Sequence, residues 1–298
     1  MLVAPPAACG GPRTAEPAGE SAMPTVAVRD IDIYYEIAGN GERLLYLGGS
    51  HGDLRQSPNV FDGPLAQSFE LLSCDQRGQG RTSKPTVDYH MADYADDAIG
   101  LLDAVGWDRC LLMGTSFGGM VAQELAIRYP TRFERIAMAC TSSGGAGGAS
   151  YPLQTFHDLD LRESMRRTLR VADQRLTDEW VTAHADEFEA RVDALYANRS
   201  IGRDDPGAAE GSRRLFLARA DHDTYDRLPG VATPVFLCGG KYDGISPPEN
   251  LEALARQIPG AQLEFFEGGH MFLAQDPTAL PRAIAFLRGE VSVSDAAG

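Results

Sequence analysis

Hydrophobic and polar residues along the chain follow two periods that alternate. Compact apolar runs ending in turn residues appear at "RLLYLGG" (43–49), "FELLSCD" (69–75), "RCLLMGTS" (109–116), "FERIAMACTS" (133–142), "TPVFLCGG" (233–240) and "AQLEFFEGG" (261–269). Such runs suit strands buried on both faces. Between them lie stretches of helical period. "MADYADDAIGLLDAVG" (91–106) sets Tyr94, Ala98, Leu101, Leu102 and Val105 on one face and ends at Gly106. "GGMVAQELAIRYP" stops at Pro130, and "PENLEALARQIP" and "ALPRAIAFLRG" complete the set. Upstream, "TVAVRDIDIYYEIAG" predicts two short strands around a turn at Arg29–Asp30. Strands alternating with helices predict an α/β domain with a parallel sheet and crossover connections.

The alternation breaks once. Residues 143–228 open with "SGGAGGAS" and continue through three charged segments of helical period, "LRESMRRTLRVADQRL", "DEWVTAHADEFEARVDALYANR" and "EGSRRLFLARADHDTYDRL". No strand pattern interrupts them. The expected organisation is therefore a core of residues 25–142 and 229–290, carrying residues 143–228 as a helical cap. Residues 1–24 are rich in Pro, Gly and Ala, and prolines at positions 5 and 6 spoil a signal peptide, so they are expected to be a disordered extension. Met23 is a second candidate start, and residues 291–298 are expected to form a flexible tail.

Composition narrows the function classes. A formal net charge of -15 opposes nucleic acid or an anionic membrane surface as partner. No run of about 20 apolar residues predicts a membrane span. The five cysteines (Cys9, Cys74, Cys110, Cys140, Cys238) are odd in number, scattered and free of any C-x-x-C pair. That argues against a disulfide framework or a thiolate zinc site and for a reducing, cytoplasmic setting.

Candidate chemistry begins at "GTSFG" (114–118), which fits G-x-S-x-G with a strand before it and a helix after it. Glycines on either side of Ser116 permit a tight turn that presents its hydroxyl above the sheet, and the N–H of Phe117 and the helix N-terminus face the same point. A serine nucleophile needs a base. His90, His157, His184 and His222 stand in segments without a partner motif. His270 follows "EFFEGG", the end of the last strand, so it lies at the same carboxyl edge as Ser116. Asp243, in "CGGKYDGISPP" after the preceding strand, is the carboxylate to orient it; the competing reading is a cap for the helix at 247–258. The chain order is Ser116, Asp243, His270.

On these residues the chain from about 25 to 290 resembles an α/β-hydrolase-fold serine hydrolase with a helical cap. "CDQRGQGRTSKP" (74–85) is similar to the family's D-x-R-G-x-G-x-S segment, in which Asp75, Arg77, Gly78 and Gly80 organise loops beside the site, with Thr82 and Ser83 near the usual serine. "GGKYDGISP" resembles the acid loop and "GGHMFLAQDP" the histidine loop. The resemblance implies a mostly parallel eight-stranded sheet flanked by helices, with the cap inserted after the sixth strand. It also implies an oxyanion donor after the third strand, where the family has His-Gly and this chain has "LYLGGSHGD". Alignment by strand end makes Ser50 that donor and Phe117 the second; alignment on the literal His51-Gly52 makes Asp53 the donor. Ser50 is preferred, since a carboxylate beside an oxyanion is unfavourable, and Gly49 and His51 then face substrate.

A serine disfavours the dehalogenase and epoxide hydrolase chemistries of this fold, which use Asp at that position. Ser–His–Asp implies acyl transfer to water on a small-molecule ester or lactone, with no cofactor and no metal. The resemblance is nearest to 3-oxoadipate enol-lactonases and carboxylesterases. Alternatives are C–C bond hydrolysis, cofactor-free haloperoxidase or perhydrolase activity, and a non-enzymatic ligand receptor. Arg162, Arg166, Arg167, Arg203, Arg213 and Arg214 of the cap are candidates for a substrate carboxylate, against the alternative of a solvated helix face. Oligomeric state stays open.

Overall fold

The computed structural model describes residues 24–290, so the expectations for the N-terminal extension and the C-terminal tail lie outside the described residues. Strands β1 (Thr25–Val28) and β2 (Ile31–Gly39) form the hairpin expected around Arg29–Asp30. There follow β3 (Arg43–Leu47), α1 (Pro64–Ser68), β4 (Glu70–Cys74), α2 (Met91–Ala104), β5 (Cys110–Thr115), α3 (Phe117–Arg128) and β6 (Phe133–Ala139). Helices α4 (Leu161–Ala172), α5 (Asp178–Ala183), α6 (Ala185–Ser200) and α7 (Ala208–Ala220) then intervene before β7 (Val235–Gly240). The chain ends with α8 (Pro248–Gln257), β8 (Gln262–Phe266), α9 (Phe272–Gln275) and α10 (Ala279–Leu287).

The eight strands form one sheet in the order β1-β2-β4-β3-β5-β6-β7-β8, with β2 antiparallel to its neighbours and β3 to β8 mutually parallel. Successive leucines explain the two covered faces. Leu45, Leu72 and Leu112 pack with Leu101 of α2, Leu125 of α3 and Leu254 of α8. Their neighbours Leu44, Leu71 and Leu111 point the other way, with Leu65 of α1 and Ile284 of α10. Strand order reverses between β3 and β5: the chain leaves β3 toward β4 and leaves β5 toward β6. In an open parallel sheet this leaves a crevice beyond the carboxyl ends of those two strands.

One segment differs from expectation. The helical run 178–199 divides at His184, whose backbone leaves the helical region at φ -128 and ψ 40. Its ring Nδ1 lies 2.9 Å from the Trp180 carbonyl and stacks on the Trp180 indole, so the side chain competes for a helix acceptor. The inserted helices bury a small apolar cluster of their own, Met165, Leu176, Phe188 and Val192.

Candidate active site

Ser116 stands between β5 and α3 with φ 55 and ψ -112, a region that L-residues seldom occupy. The surrounding glycines make that turn possible through close approach. A Cβ on Gly114 would collide with the backbone of Gly118, and one on Gly118 with the Leu47 carbonyl at the end of β3. The turn is held from behind, where Ser116 N–H donates to the Ala139 carbonyl at 2.8 Å and Thr141 Oγ1 donates to the Ser116 carbonyl at 2.9 Å.

Three distant segments meet here. His270 Nε2 lies 3.0 Å from Ser116 Oγ, and His270 Nδ1 lies 2.7 Å from Asp243 Oδ2. The neutral tautomer that satisfies both contacts carries its proton on Nδ1 and leaves Nε2 to accept from the hydroxyl. Asp243 is 1% exposed, and its other oxygen accepts from Ile245 N–H at 2.8 Å and Ser246 N–H at 3.0 Å. The carboxylate therefore closes a turn in its own loop and does not cap α8, which begins at Pro248.

The acid and histidine loops are also gripped by the end of one inserted helix, a contact for which the sequence gives no signal. At the end of α4, the Val171 carbonyl accepts from Gly244 N–H at 3.1 Å and the Ala172 carbonyl from His270 N–H at 2.6 Å. These are terminal helix acceptors, which need partners from outside the helix. A Cβ on Gly269 would collide with that Ala172 carbonyl, so the second glycine of "EGGH" serves this approach. Gly268, at φ 130, makes the bend out of β8.

On the other side of Ser116 lies the loop after β3. A Cβ on Gly49 would sit 3.5 Å from Ser116 Cβ, whereas one on Gly52 would meet Gly49 and Gln79. Of the two alignments, Gly49 of Gly48-Gly49-Ser50 is the glycine that lies beside Ser116. Asp53 in the rival alignment gives its carboxylate to Arg55. Ser50 Oγ is buried without a partner. Phe117 opens α3, so its N–H has no intrahelical acceptor. Arg199 of α6 braces the loop, donating from Nη1 to the carbonyls of Ser50 at 3.0 Å and His51 at 3.3 Å. Burial lowers its guanidinium to about 10, and among the described residues no carboxylate pairs with it. Helical periodicity could not single out Arg199 from the other arginines of the segment.

His51, at φ 64, lines a cavity of about 620 Å³ between these loops and the inserted helices. Its ring packs 5.0 Å from Phe216 of α7. His51 keeps an exposed face; partial desolvation of its ring in the cavity, then the positive charges of Arg199, His157 and Arg219, lower this imidazole from the ordinary histidine value. Leu161, Met165 and Leu215 supply an apolar wall. Ser116 and His270 are not in that wall: the cavity begins one loop away, at His51. Of the candidate cap arginines, Arg203 lines the cavity. Arg162, Arg166, Arg167, Arg213 and Arg214 pair with carboxylates of their own helices or adjacent segments.

The D-x-R-G-x-G segment organises the neighbouring loops. Asp75 accepts from Leu54 N–H at 2.7 Å and Arg81 N–H at 2.8 Å, while burial raises its carboxyl to about 6. Arg77 is bidentate to buried Asp97 and to Asp30.

Comparison with known proteins agrees with this architecture. Residues 43–277 match the family described as alpha/beta hydrolase fold. A 3-oxoadipate enol-lactonase 2 of Acinetobacter baylyi is 25% identical over 261 residues, covering 87% of this chain and 94% of that protein. A poly(3-hydroxyalkanoate) depolymerase of Ectopseudomonas oleovorans is 25% identical, covering 77% and 79%. The solved meta-cleavage product hydrolase of Pseudomonas fluorescens IP01 superposes with a TM-score of 0.70 at 20% identity, covering 90% and 98%. With the family matched across most of its length and the eight-stranded sheet in place, the chain belongs to the α/β-hydrolase fold family.

Proposed function

We propose that this protein is a serine hydrolase that cleaves an ester or lactone bond of a small molecule through an acyl-enzyme. The observation that carries the reading is the continuous contact from Asp243 through His270 to a serine in a strained strand–helix turn. Ser116 Oγ attacks the substrate carbonyl while its proton passes to His270 Nε2, and Asp243 stabilises the imidazolium formed. The backbone N–H groups of Ser50 and Phe117 receive the tetrahedral oxyanion. Collapse expels the alcohol or enol with the proton from His270, and His270 then draws a proton from the water that releases the acid. A 3-oxoadipate enol-lactonase and a poly(3-hydroxyalkanoate) depolymerase among the relatives favour this bond class.

The test is turnover of a panel of p-nitrophenyl esters, lactones and enol-lactones by wild type and Ser116→Ala. Wild type is expected to turn over members of the panel, with a loss of about four orders of magnitude or more in the variant. Equal rates in the two proteins would sink the reading.

A further inference from the structure

A second cavity, of about 250 Å³, lies directly behind the serine turn. Its walls include Met120, Ser142, Ser150, Gln154, Arg219 and His222. Met120 N–H donates to the Ser116 carbonyl, and Thr141, the neighbour of Ser142, holds the same carbonyl through its hydroxyl. The cavity is therefore one helical turn from the proposed nucleophile.

Its two serines are joined to each other, Oγ to Oγ at 2.7 Å, and Ser150 to Ser246 at 3.3 Å, but several of its other polar groups lack partners among the described residues. Arg219 is 6% exposed and donates from Nη1 to the Tyr151 carbonyl at 3.0 Å, but its Nε and Nη2 have no acceptor. His222 is 5% exposed, and among the described residues its ring nitrogens have no side-chain partner, the Ser142 backbone being the polar group that acts on the ring. Gln154 Oε1 is also unpartnered, and a half-turn of that amide would present its NH₂ instead. Among the described residues no acidic one lines the space; of the two carboxylates that act on His222 from outside it, Glu124 is tied to Arg227 and Asp223 accepts from the Tyr225 N–H. A buried guanidinium without a counterion is unfavourable. Most arginines of the inserted helices meet carboxylates, whereas Arg219 faces a polar cavity with room for more than one water.

We infer that this cavity is a carboxylate-binding site in which Arg219 is the charged anchor, and His222 and one hydroxyl of the Ser142–Ser150 pair are additional donors. Neither Ser116 nor His270 lines the cavity; if the occupant is the acid end of a substrate that reaches past the turn, the preferred esters or lactones carry a free acid group. The same chemistry would also admit a free small carboxylate. Burial lowers His222 to about 4, which keeps the ring neutral near pH 7 with one N–H to give. Identification of the occupant with substrate rests on the serine hydrolase reading; the existence of the site does not.

The experiment has a binding arm and a kinetic arm. In the first, thermal melts are recorded with acetate or butyrate against chloride at equal ionic strength, with butyramide as the neutral control. Saturable stabilisation of wild type by the carboxylates, lost in Arg219→Met and partly kept in Arg219→Lys, is expected. In the second, a pH-stat compares monomethyl glutarate with methyl valerate, which differ in a carboxylate against a methyl at the chain end. Wild type is expected to favour the acid ester at least tenfold in kcat/KM, with the ratio falling toward one in Arg219→Met. Stabilisation without that preference would identify a free carboxylate as occupant. Neither stabilisation nor preference in wild type would overturn the site, whatever the variants do. Failure of Ser116 to react with a fluorophosphonate, with neither ester cleaved, would remove the hydrolase reading alone, and the melts would still decide the site.

Discussion

The carboxyl edge of the sheet and the inserted helices solve the placement of polar groups in opposite ways. At the sheet edge, charged groups are buried and nearly saturated: Asp243 accepts three N–H groups, and Arg77 is shared between Asp97 and Asp30. Backbones approach so closely that Gly114 and Gly118 have no room for a Cβ. On the inserted helices, charge lies mostly in exposed ion pairs such as Arg167–Glu163, and the apolar cluster is small. Geometry at the edge is over-determined, while the insertion is free to vary what it presents to the cavity. The two meet where α4 lends its last carbonyls to the acid and histidine loops.

The largest expected effect comes from the edge. Asp243→Asn leaves the packing nearly unchanged but favours the wrong imidazole tautomer, so ester turnover should fall about 10⁴-fold at neutral pH. Steady-state kinetics on one reactive ester checks this. A fall of less than tenfold would break the contrast.

The same residue type can then be compared across the two regions. Arg77→Met leaves Asp97 in a buried site with only Arg29 as cationic partner, and a loss of about 3 kcal/mol, or roughly 10 °C in Tm, is expected. His222 gives a pH-dependent counterpart within the insertion. The folded state keeps this ring neutral down to about pH 4, while the unfolded chain takes a proton below about 6.5. Stability present above pH 6.5 is therefore lost on acidification, by about 2–3 kcal/mol at pH 4.5. Asp75, raised to about 6, works in the opposite sense, because its buried carboxylate costs less once protonated. Urea unfolding of wild type and His222→Gln at pH 7 and 4.5 isolates the histidine, and the variant should lose correspondingly less on acidification. Arg167→Ala, an exposed i,i+4 pair, should cost at most about 0.5 kcal/mol in the same assay. A cost comparable to that at Arg77 would erase the distinction between the regions.

Much of the edge was legible in the sequence because it depends on local rules. Apolar runs gave the strands, and the G-x-S-x-G turn with strand-end Asp and His placed three segments at one end of a parallel sheet. The break in that alternation gave the inserted helices, and resemblance supplied the strand count. The division at His184 escaped detection because it turns on a side chain competing for a backbone acceptor, which leaves the hydrophobic period intact. Arg199 and Arg219 escaped for a different reason. Their distinction is the absence of a carboxylate partner in space, and nothing in "ANRS" or "LARAD" separates them from arginines that have one. The alignment at "LGGSHGD" was ambiguous by sequence, since which glycine lies beside Ser116 depends on how the loop leaves β3, and the structure puts Gly49 there.

The central claim is that Ser116 is an activated nucleophile. It is tested most directly by treating the protein with a fluorophosphonate and mapping the adduct by peptide mass spectrometry, with His270→Ala as the comparison. The account predicts one stoichiometric adduct on Ser116 in wild type and labelling slowed by orders of magnitude without the histidine. An unlabelled Ser116 in protein that still hydrolyses esters, or equal labelling with and without His270, would contradict it.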